Sequence, residues 1–503
     1  MVKKAKRGLH FFKPKNNNER PVEQKDLHKL IDDGKRSKFE DLGVTNDAIK
    51  AIRTLLANNY SNLVIDAFSH PDLNKRELSF NRIVEVLNNY DDFSIYATHH
   101  NPEASRAAAE DVVGMGIFGR LLKMHDDLTD MGYNGTFAAL ETPSVKERYK
   151  GIDENGEPLI TPAVTDRFVE MFAKADNKSF NKSQPIFNGF RNNMRISATH
   201  WSLTPNHHTT LSIRISKPKL ALNHKNFYKF ANIGIYTLLD ECMKSHANVL
   251  ISGETGTGKT ELYKLLVGSV SFSDKIINIE DVDETHLSEI YPDKDIYNWL
   301  TKTMDTKTGT VADKTQIRIE DHVKNGLRNN SKWTMVSEVR GGDAFEMFQS
   351  AKTGQPMMTT LHSVSNAEVN SRFSGMAMQN EECKNPDEVS ERFNKIMHLG
   401  IHIKRKDIGG TTYRYLDDLS CFVPIDDAHP DGVAPIYKQE LHSSRDQFGA
   451  LNITRTSYTY KMPQKIIDLV KDIEDYDLVG HLLRDNNLDF TGNGRPFEES
   501  INY

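Results

Sequence analysis

Between Asn248 and Thr260 a short apolar run, Val-Leu-Ile, leads straight into Gly253-Glu-Thr-Gly-Thr-Gly-Lys259-Thr260, and a helical pattern follows. This order of strand, glycine-rich turn and helix is the context that the pattern G-x-x-x-x-G-K-[ST] needs to bind phosphate. The glycines let the backbone curl so that successive N–H groups and the start of a helix converge on a polyanion. Residues Gly253, Glu254, Thr255, Gly256, Thr257, Gly258, Lys259 and Thr260 are therefore the expected nucleotide-binding set. Lys259 brings a positive charge to the β- and γ-phosphates, and the Thr260 hydroxyl suits Mg²⁺. Leu262, Leu265 and Leu266 then recur at the spacing of a core-facing helix.

A chain of 503 residues exceeds what one core can organise, so two or three domains are expected. The net charge of −6 and isoelectric point near 6.4 argue against direct nucleic-acid binding over the whole surface. Lys3, Lys4, Lys6 and Arg7 have no apolar run behind them, which excludes a secretory signal and suggests a solvated arm. No segment is apolar enough for long enough to span a bilayer. Cys242, Cys383 and Cys421 are isolated, offering neither a disulfide framework nor a paired-cysteine zinc site. A soluble, cytosolic protein is expected.

The pattern along the chain divides it into a mobile basic arm (1–40), a helical N-terminal region (41–126), a small α+β domain (127–216), a linker (217–224), an α/β domain (225–423) and a C-terminal tail (424–503). Helical periodicity covers 46–58, 79–89 and 103–124. Met131-Gly-Tyr-Asn-Gly135 predicts a hairpin turn, and 194–203 and 209–215 predict a second hairpin through Pro205-Asn206. Beyond 225, helices alternate with buried-strand candidates at 248–251, 275–279, 333–336, 357–360 and 397–403, which implies a mostly parallel sheet. Ser365 and Glu368 have the spacing of a capping box, Gly409-Gly410 predicts another hairpin, and 463–473 reads as an amphipathic helix.

Acidic residues close the strands after the loop. Ile279-Glu280-Asp281-Val-Asp283-Glu284 follows the second strand and Trp333-Thr-Met-Val-Ser337-Glu338 ends the third. Ligands of open parallel sheets sit outside the carboxyl ends of the strands, so these carboxylates are expected to face the nucleotide. One can orient the attacking water and others can hold Mg²⁺; Thr260, Glu280, Asp281 and Glu338 are the expected metal ligands. Thr353-Gly-Gln355-Pro-Met-Met-Thr-Thr-Leu-His362 supplies a further strand tip, where His362 can sense the γ-phosphate.

The four motifs GETGTGKT, IEDVDE, SEVR and TGQPMMTTLH, in that order, resemble the secretion-ATPase superfamily, the motors of type II secretion, type IV pili and type IV (conjugative) secretion. The resemblance runs from about Asp127 to Val423. It implies a RecA-like P-loop ATPase domain preceded by a smaller α+β domain, with ATP and Mg²⁺ held between them. It implies Glu284 as the water-positioning base, Glu338 as the acid of the second nucleotide motif, His362 as the second histidine of the histidine box, and Arg195 and Arg214 as arginines reaching the γ-phosphate. Positive charge from outside the loop is what a transferring phosphoryl group requires.

Two positions depart from the family pattern: Gln355 stands where a histidine is usual, and Ser337 where a glycine is usual. No paired-cysteine zinc insertion is present, which places the chain nearer conjugative-transfer or tight-adherence-pilus motors. The resemblance implies an ATP-hydrolysing homohexameric ring motor, cytoplasmic and peripheral to the inner face of the cell membrane, working with an inner-membrane platform protein. A nucleotide-binding assembly switch with negligible turnover, or a DNA-translocating ring, are the alternatives.

Overall fold

The computed structural model describes residues 44–500 apart from 70–72, 92–97, 153–155, 192, 303–315, 446, 448, 450, 472–476, 487 and 493–494. The expected arm at 1–40 lies outside the described residues. Two compact units are present, one drawing on Met1–Asp126, Tyr133–Leu140 and Glu147–Ala175, the other on Asp127–Gly132, Glu141–Lys146 and Asp176–Tyr503.

The first unit is mainly helical: Asn46–Asn59, Ser61–Ser69, Leu73–Asn89, Pro102–Val113, Gly116–Met124 and Pro162–Ala175. Thr45 caps the first helix by accepting the Ala48 N–H at 3.1 Å. Ile49, Ile52, Leu56, Ile83, Leu87, Ala104 and Ala108 form its core, which is the helical spacing read from the sequence brought to one side. The expected single helix over 103–124 is two. A Cβ at Gly114 would lie 2.2 Å from the Glu110 carbonyl oxygen, and Gly116 takes φ +54°, so the chain turns there. Buried Asp111 ties the break, pairing with Arg53 at 2.6 Å and Arg120 at 3.2 Å. The Asn134-Gly135 turn forms as expected: Asn134 Oδ1 accepts the N–H groups of Thr136 and Phe137, each at 2.9 Å, and Gly135 takes φ +89°. Strands β1 (Asp130–Tyr133) and β2 (Ala138–Glu141) flank it, and β3 (Lys146–Arg148) follows.

In the second unit β4 (Ile186–Arg191), β5 (Met194–Thr199) and β6 (Thr210–Ile215) form an antiparallel meander. Met194, Ile196, Ala198, Leu211 and Ile213 point to the buried face, so period-two alternation puts Arg195 and Arg214 on the open face. They are direct cross-strand partners. The strand expected over 194–203 stops at Thr199, because Trp201–Leu203 winds into a 3₁₀ turn capped by His200.

The main sheet has ten strands in the order β16-β15-β14-β13-β12-β7-β11-β10-β8-β9. Its members are β7 (Val249–Gly253), β8 (Ile276–Glu280), β9 (Ile296–Leu300), β10 (Trp333–Val336), β11 (Met357–Leu361), β12 (Leu399–Ile408), β13 (Thr411–Phe422), β14 (Val433–Arg445), β15 (Leu451–Thr459) and β16 (Phe497–Ser500). From β9 through β12 neighbours run parallel, and from β12 onward they are antiparallel. Every residue of β7, β8, β10 and β11 is buried. Cores cover both faces, one built on Val249, Ile251, Leu262, Leu266 and Met335, the other on Leu250, Ile277, Ile279, Val336 and Phe373. That two-sided burial explains why these strands read as mostly apolar runs.

All five strand candidates form, and the Gly409-Gly410 hairpin joins β12 to β13. Ser365 Oγ accepts the Glu368 N–H at 3.3 Å, but the helix begins at Val369, so the expected capping box contributes only one of its two bonds. The sheet continues past Val423 without a break, through β14 to β16. The 217–224 segment is fastened to the loop helix, with Lys264 Nζ donating to Lys219 O at 2.9 Å and Ala221 N–H to Glu261 Oε2 at 3.0 Å. Among the described residues no helix is long and apolar enough to cross a membrane.

The amphipathic C-terminal helix spans Gln464–Lys471 and buries Ile466 and Val470. Its Lys465 Nζ donates to the carbonyls of Asn394 (2.8 Å), Met397 (2.6 Å) and Phe422 (3.1 Å), and burial lowers its pKa. Lys465→Met would leave three carbonyls without that donor, so we expect a loss of about 2–4 kcal/mol in urea unfolding. A change below about 0.5 kcal/mol would show that the lysine only decorates the surface.

Candidate nucleotide site

The carboxyl ends of β7, β8, β10 and β11 lie on one edge of the sheet, because these strands are parallel. The glycine-rich loop leaves β7 there. Gly253 takes φ +149°, and a Cβ on it would sit 2.5 Å from the Ile403 carbonyl oxygen and 2.9 Å from Thr257 Oγ1. Gly256 and Gly258 take φ +76° and +97°, and the Lys259–Val267 helix starts directly after. These conformations explain why the loop uses glycine at those places.

Lys259 is buried, with Nζ donating to the carbonyls of Gly253 and Glu254, both at 2.9 Å. The same amine lies 3.2 Å from His362 Nδ1, and His362 Nε2 lies 3.0 Å from Glu338 Oε1. The ammonium can only donate, so Nδ1 accepts and the Nε2–H donates to the carboxylate. Burial holds the Lys259 amine down at about 8; Glu338 opposes the shift and Arg214 adds to it. Burial and the Lys259 charge also lower the His362 pKa, consistent with a neutral ring carrying its proton on Nε2. Three expected site residues from three strand ends therefore form one line, Lys259–His362–Glu338.

Two further expected residues meet elsewhere on this edge: Arg195 Nη1 lies 3.2 Å from Glu284 Oε1. Arg214 Nε donates to Asp130 Oδ1 at 3.3 Å, and its charge is close enough to depress Lys259. Asp281 accepts from Thr301 Oγ1 at 2.9 Å and lies 3.6 Å from Arg340 Nη1.

Glu280 is placed differently from the expectation that it holds Mg²⁺. It is 1% exposed, and its oxygens accept from Thr285 N–H (3.1 Å), Thr285 Oγ1 (2.5 Å) and Asn278 Nδ2 (2.7 Å). Tyr263 from the loop helix donates to Asn278 Oδ1 at 2.6 Å, completing a buried network. A carboxylate already held by three protein donors is a packing element, and it leaves Thr260, Asp281 and Glu338 as the hard oxygen donors that suit Mg²⁺. Burial raises the Glu280 pKa from 4.5 to about 7, so its neutral form is favoured by folding. Its stabilising contribution is whole below pH 4.5 and lost as pH rises through about 7. Glu280→Gln should therefore gain stability relative to wild type as the pH of a denaturant series moves from 5 to 8. A pH-independent difference between the two proteins would contradict this assignment.

The two departures from the family pattern have plain structural accounts. Gln355 lies at the far end of β11 from His362, roughly 20 Å of extended strand away. Its Oε1 accepts from Thr334 Oγ1 and Ser350 Oγ, both at 3.0 Å, and its Nε2 donates to Ser331 O at 3.1 Å. It brackets the sheet at the end of β11 away from His362. Ser337 is not in the left-handed region; its N–H donates to Ile279 O at 3.0 Å and its carbonyl accepts from Thr360 Oγ1 at 2.7 Å.

Sequence reasoning gave no role to two arginines at this edge. Arg340 pairs with both Glu338 and Asp281, joining the two acidic strand tips. Arg414, in β13, donates from Nε to Gly256 O at 2.8 Å and from Nη1 to Pro143 O at 2.5 Å, so it clamps the phosphate loop from outside. Arg340 was legible as the cation ending SEVR; Arg414 was not, because nothing local marks its partner.

Residues 188–399 match the family described as Type II/IV secretion system protein. The chain is 36% identical over 380 residues to an uncharacterized Bacillus anthracis protein, spanning 74% of this chain and 79% of that one. It is 27% identical over 163 residues to the type IV secretion system protein VirB11 of Brucella suis, and 30% over 137 residues to the type IV secretion system protein PtlH of Bordetella pertussis. Those matches span 31% and 27% of this chain, and 43% and 38% of the relatives, less than half of their length. Among solved structures, the Legionella pneumophila ATPase DotB superposes with TM-score 0.42 at 17% identity, covering 63% of this chain and 82% of that one.

Proposed function

The chain belongs to the type II/type IV secretion ATPase superfamily, and from that premise we propose that it hydrolyses ATP to drive a type IV secretion or conjugation machine. The observation that carries this reading is the line Lys259–His362–Glu338, with Arg195 on Glu284 beside it. The loop N–H groups and Lys259 bind the β- and γ-phosphates; to do so the amine exchanges the Gly253 and Glu254 carbonyls for phosphate oxygens. His362 then registers the change, because the ring that accepted from Lys259 is also bonded to Glu338.

Glu284 orients the attacking water and accepts its proton, while Arg195 moves from the carboxylate to the phosphoryl oxygens as negative charge builds there. Thr260, Asp281 and Glu338 would hold Mg²⁺, which screens the phosphate charges when bound. Arg214 adds positive charge from the same open strand face as Arg195.

The working form is a homohexameric ring, peripheral to the inner face of the cell membrane and docked on an inner-membrane platform protein. Specific ATPase activity should rise with protein concentration, in step with the appearance of rings by sedimentation velocity. Activity that stays low and flat while rings assemble would favour a nucleotide-controlled assembly switch instead.

A further inference from the structure

Just past the acidic strand tip of β8, Asp283, His286 and Glu289 each offer one ligand atom, and these atoms all lie within 4.8 Å of one another. His286 is 1% exposed, and its backbone takes φ +51°. Its Nε2 lies 3.0 Å from Ser216 Oγ, while the single Ser216 hydroxyl proton is directed to Asn193 O at 3.2 Å. With Nε2 as the donor to Ser216, Nδ1 is the ring nitrogen left to hold a proton or a metal ion. That buried Nδ1 has no hydrogen-bond partner and faces two carboxylates, Asp283 Oδ2 at 3.6 Å and Glu289 Oε1 at 3.5 Å. A ring nitrogen facing two carboxylates calls for positive charge between them, carried by a proton or by a metal ion.

From this geometry we propose that Asp283, His286 and Glu289 form a binding site for a divalent transition metal such as Zn²⁺. Tetrahedral bonds of about 2.0–2.2 Å place neighbouring ligand atoms about 3.3–3.6 Å apart, which the two histidine–carboxylate separations match. One imidazole and two carboxylates are a borderline-to-hard set that leaves a fourth position for water. The Nε2–Ser216 bond is the outer-shell hydrogen bond that fixes the tautomer and turns Nδ1 toward the ion. Asp283 precedes Glu284, so an ion here would also fix the backbone that carries the proposed water-positioning carboxylate. The site is independent of nucleotide, and its test needs none.

The test is a Zn²⁺ titration of the metal-stripped, nucleotide-free full chain, by calorimetry or competition with a chromophoric zinc indicator. We expect one Zn²⁺ per chain, bound at least about tenfold more weakly by Glu289→Gln and by His286→Gln. Glu289 is exposed, so its variant keeps the fold and remains informative if the His286 variant does not express. Cys383→Ser should bind as wild type does. Equal affinity in wild type and Glu289→Gln, loss of binding in Cys383→Ser, or no stoichiometric uptake would overturn the proposal. The last result would mean that a proton alone occupies Nδ1.

Discussion

Lys259→Ala should lower steady-state phosphate release at least about 100-fold while leaving far-ultraviolet circular dichroism unchanged. The amine is the one cation buried inside the loop, and the line to His362 and Glu338 starts from it. Alanine removes both the phosphate contact and the signal to the neighbouring strand tip. The low pKa adds a pH signature: the free amine loses its charge above about 8, so affinity for a fluorescent ATP analogue should fall by up to about tenfold per pH unit beyond that point. A variant that keeps half the wild-type rate, or an affinity flat to pH 9.5, would remove Lys259 from the site.

Glu284→Gln should hold ATP but cleave it at least about 100-fold more slowly, because the amide preserves shape and cannot take a proton from water. Arg195→Ala should share the slow turnover, with a smaller loss of about 10–100-fold. The two side chains are paired at 3.2 Å, so the double variant should lose less than the product of the single losses. Single-turnover cleavage of bound ATP reads these rates directly, and a Glu284→Gln rate within twofold of wild type would move the base elsewhere.

The parallel half of the main sheet was legible because β7, β8, β10 and β11 are buried on both faces and lead into the glycine-rich loop, the two acidic tips and His362. Strands that keep one face in water were legible only beside a turn signal, as β5 and β6 were. β9 mixes half-buried and exposed positions, and β14 carries Pro435 beside a register shift, so neither stood out as a strand candidate. Strand β4 mixes exposed and half-buried positions in the same way, whereas the helix over Pro162–Ala175 buries Thr165, Phe168, Val169, Phe172 and Ala173 at regular helical spacing and was legible but not read.

Site residues followed a similar division. Lys259 could be named from the glycine-rich loop pattern, and Glu338 and His362 because each follows an apolar strand. Arg414 lies 158 residues from the loop carbonyl that it holds, and only strand pairing brings it there. Glu280 was visible as an acid, and Asn278 shares its face of β8, but the two Thr285 donors reach it only when the following loop folds back.

The central claim is that the edge carrying Lys259, His362, Glu338 and Glu284 is a hydrolytic site rather than a nucleotide-holding one. The most direct measurement is phosphate release by the full chain with ATP, in excess Mg²⁺ and again in excess chelator, alongside Lys259→Ala. The account predicts continuous, Mg²⁺-dependent release well above the variant. Binding of ATP by wild type with release no faster than the Lys259→Ala background would contradict it.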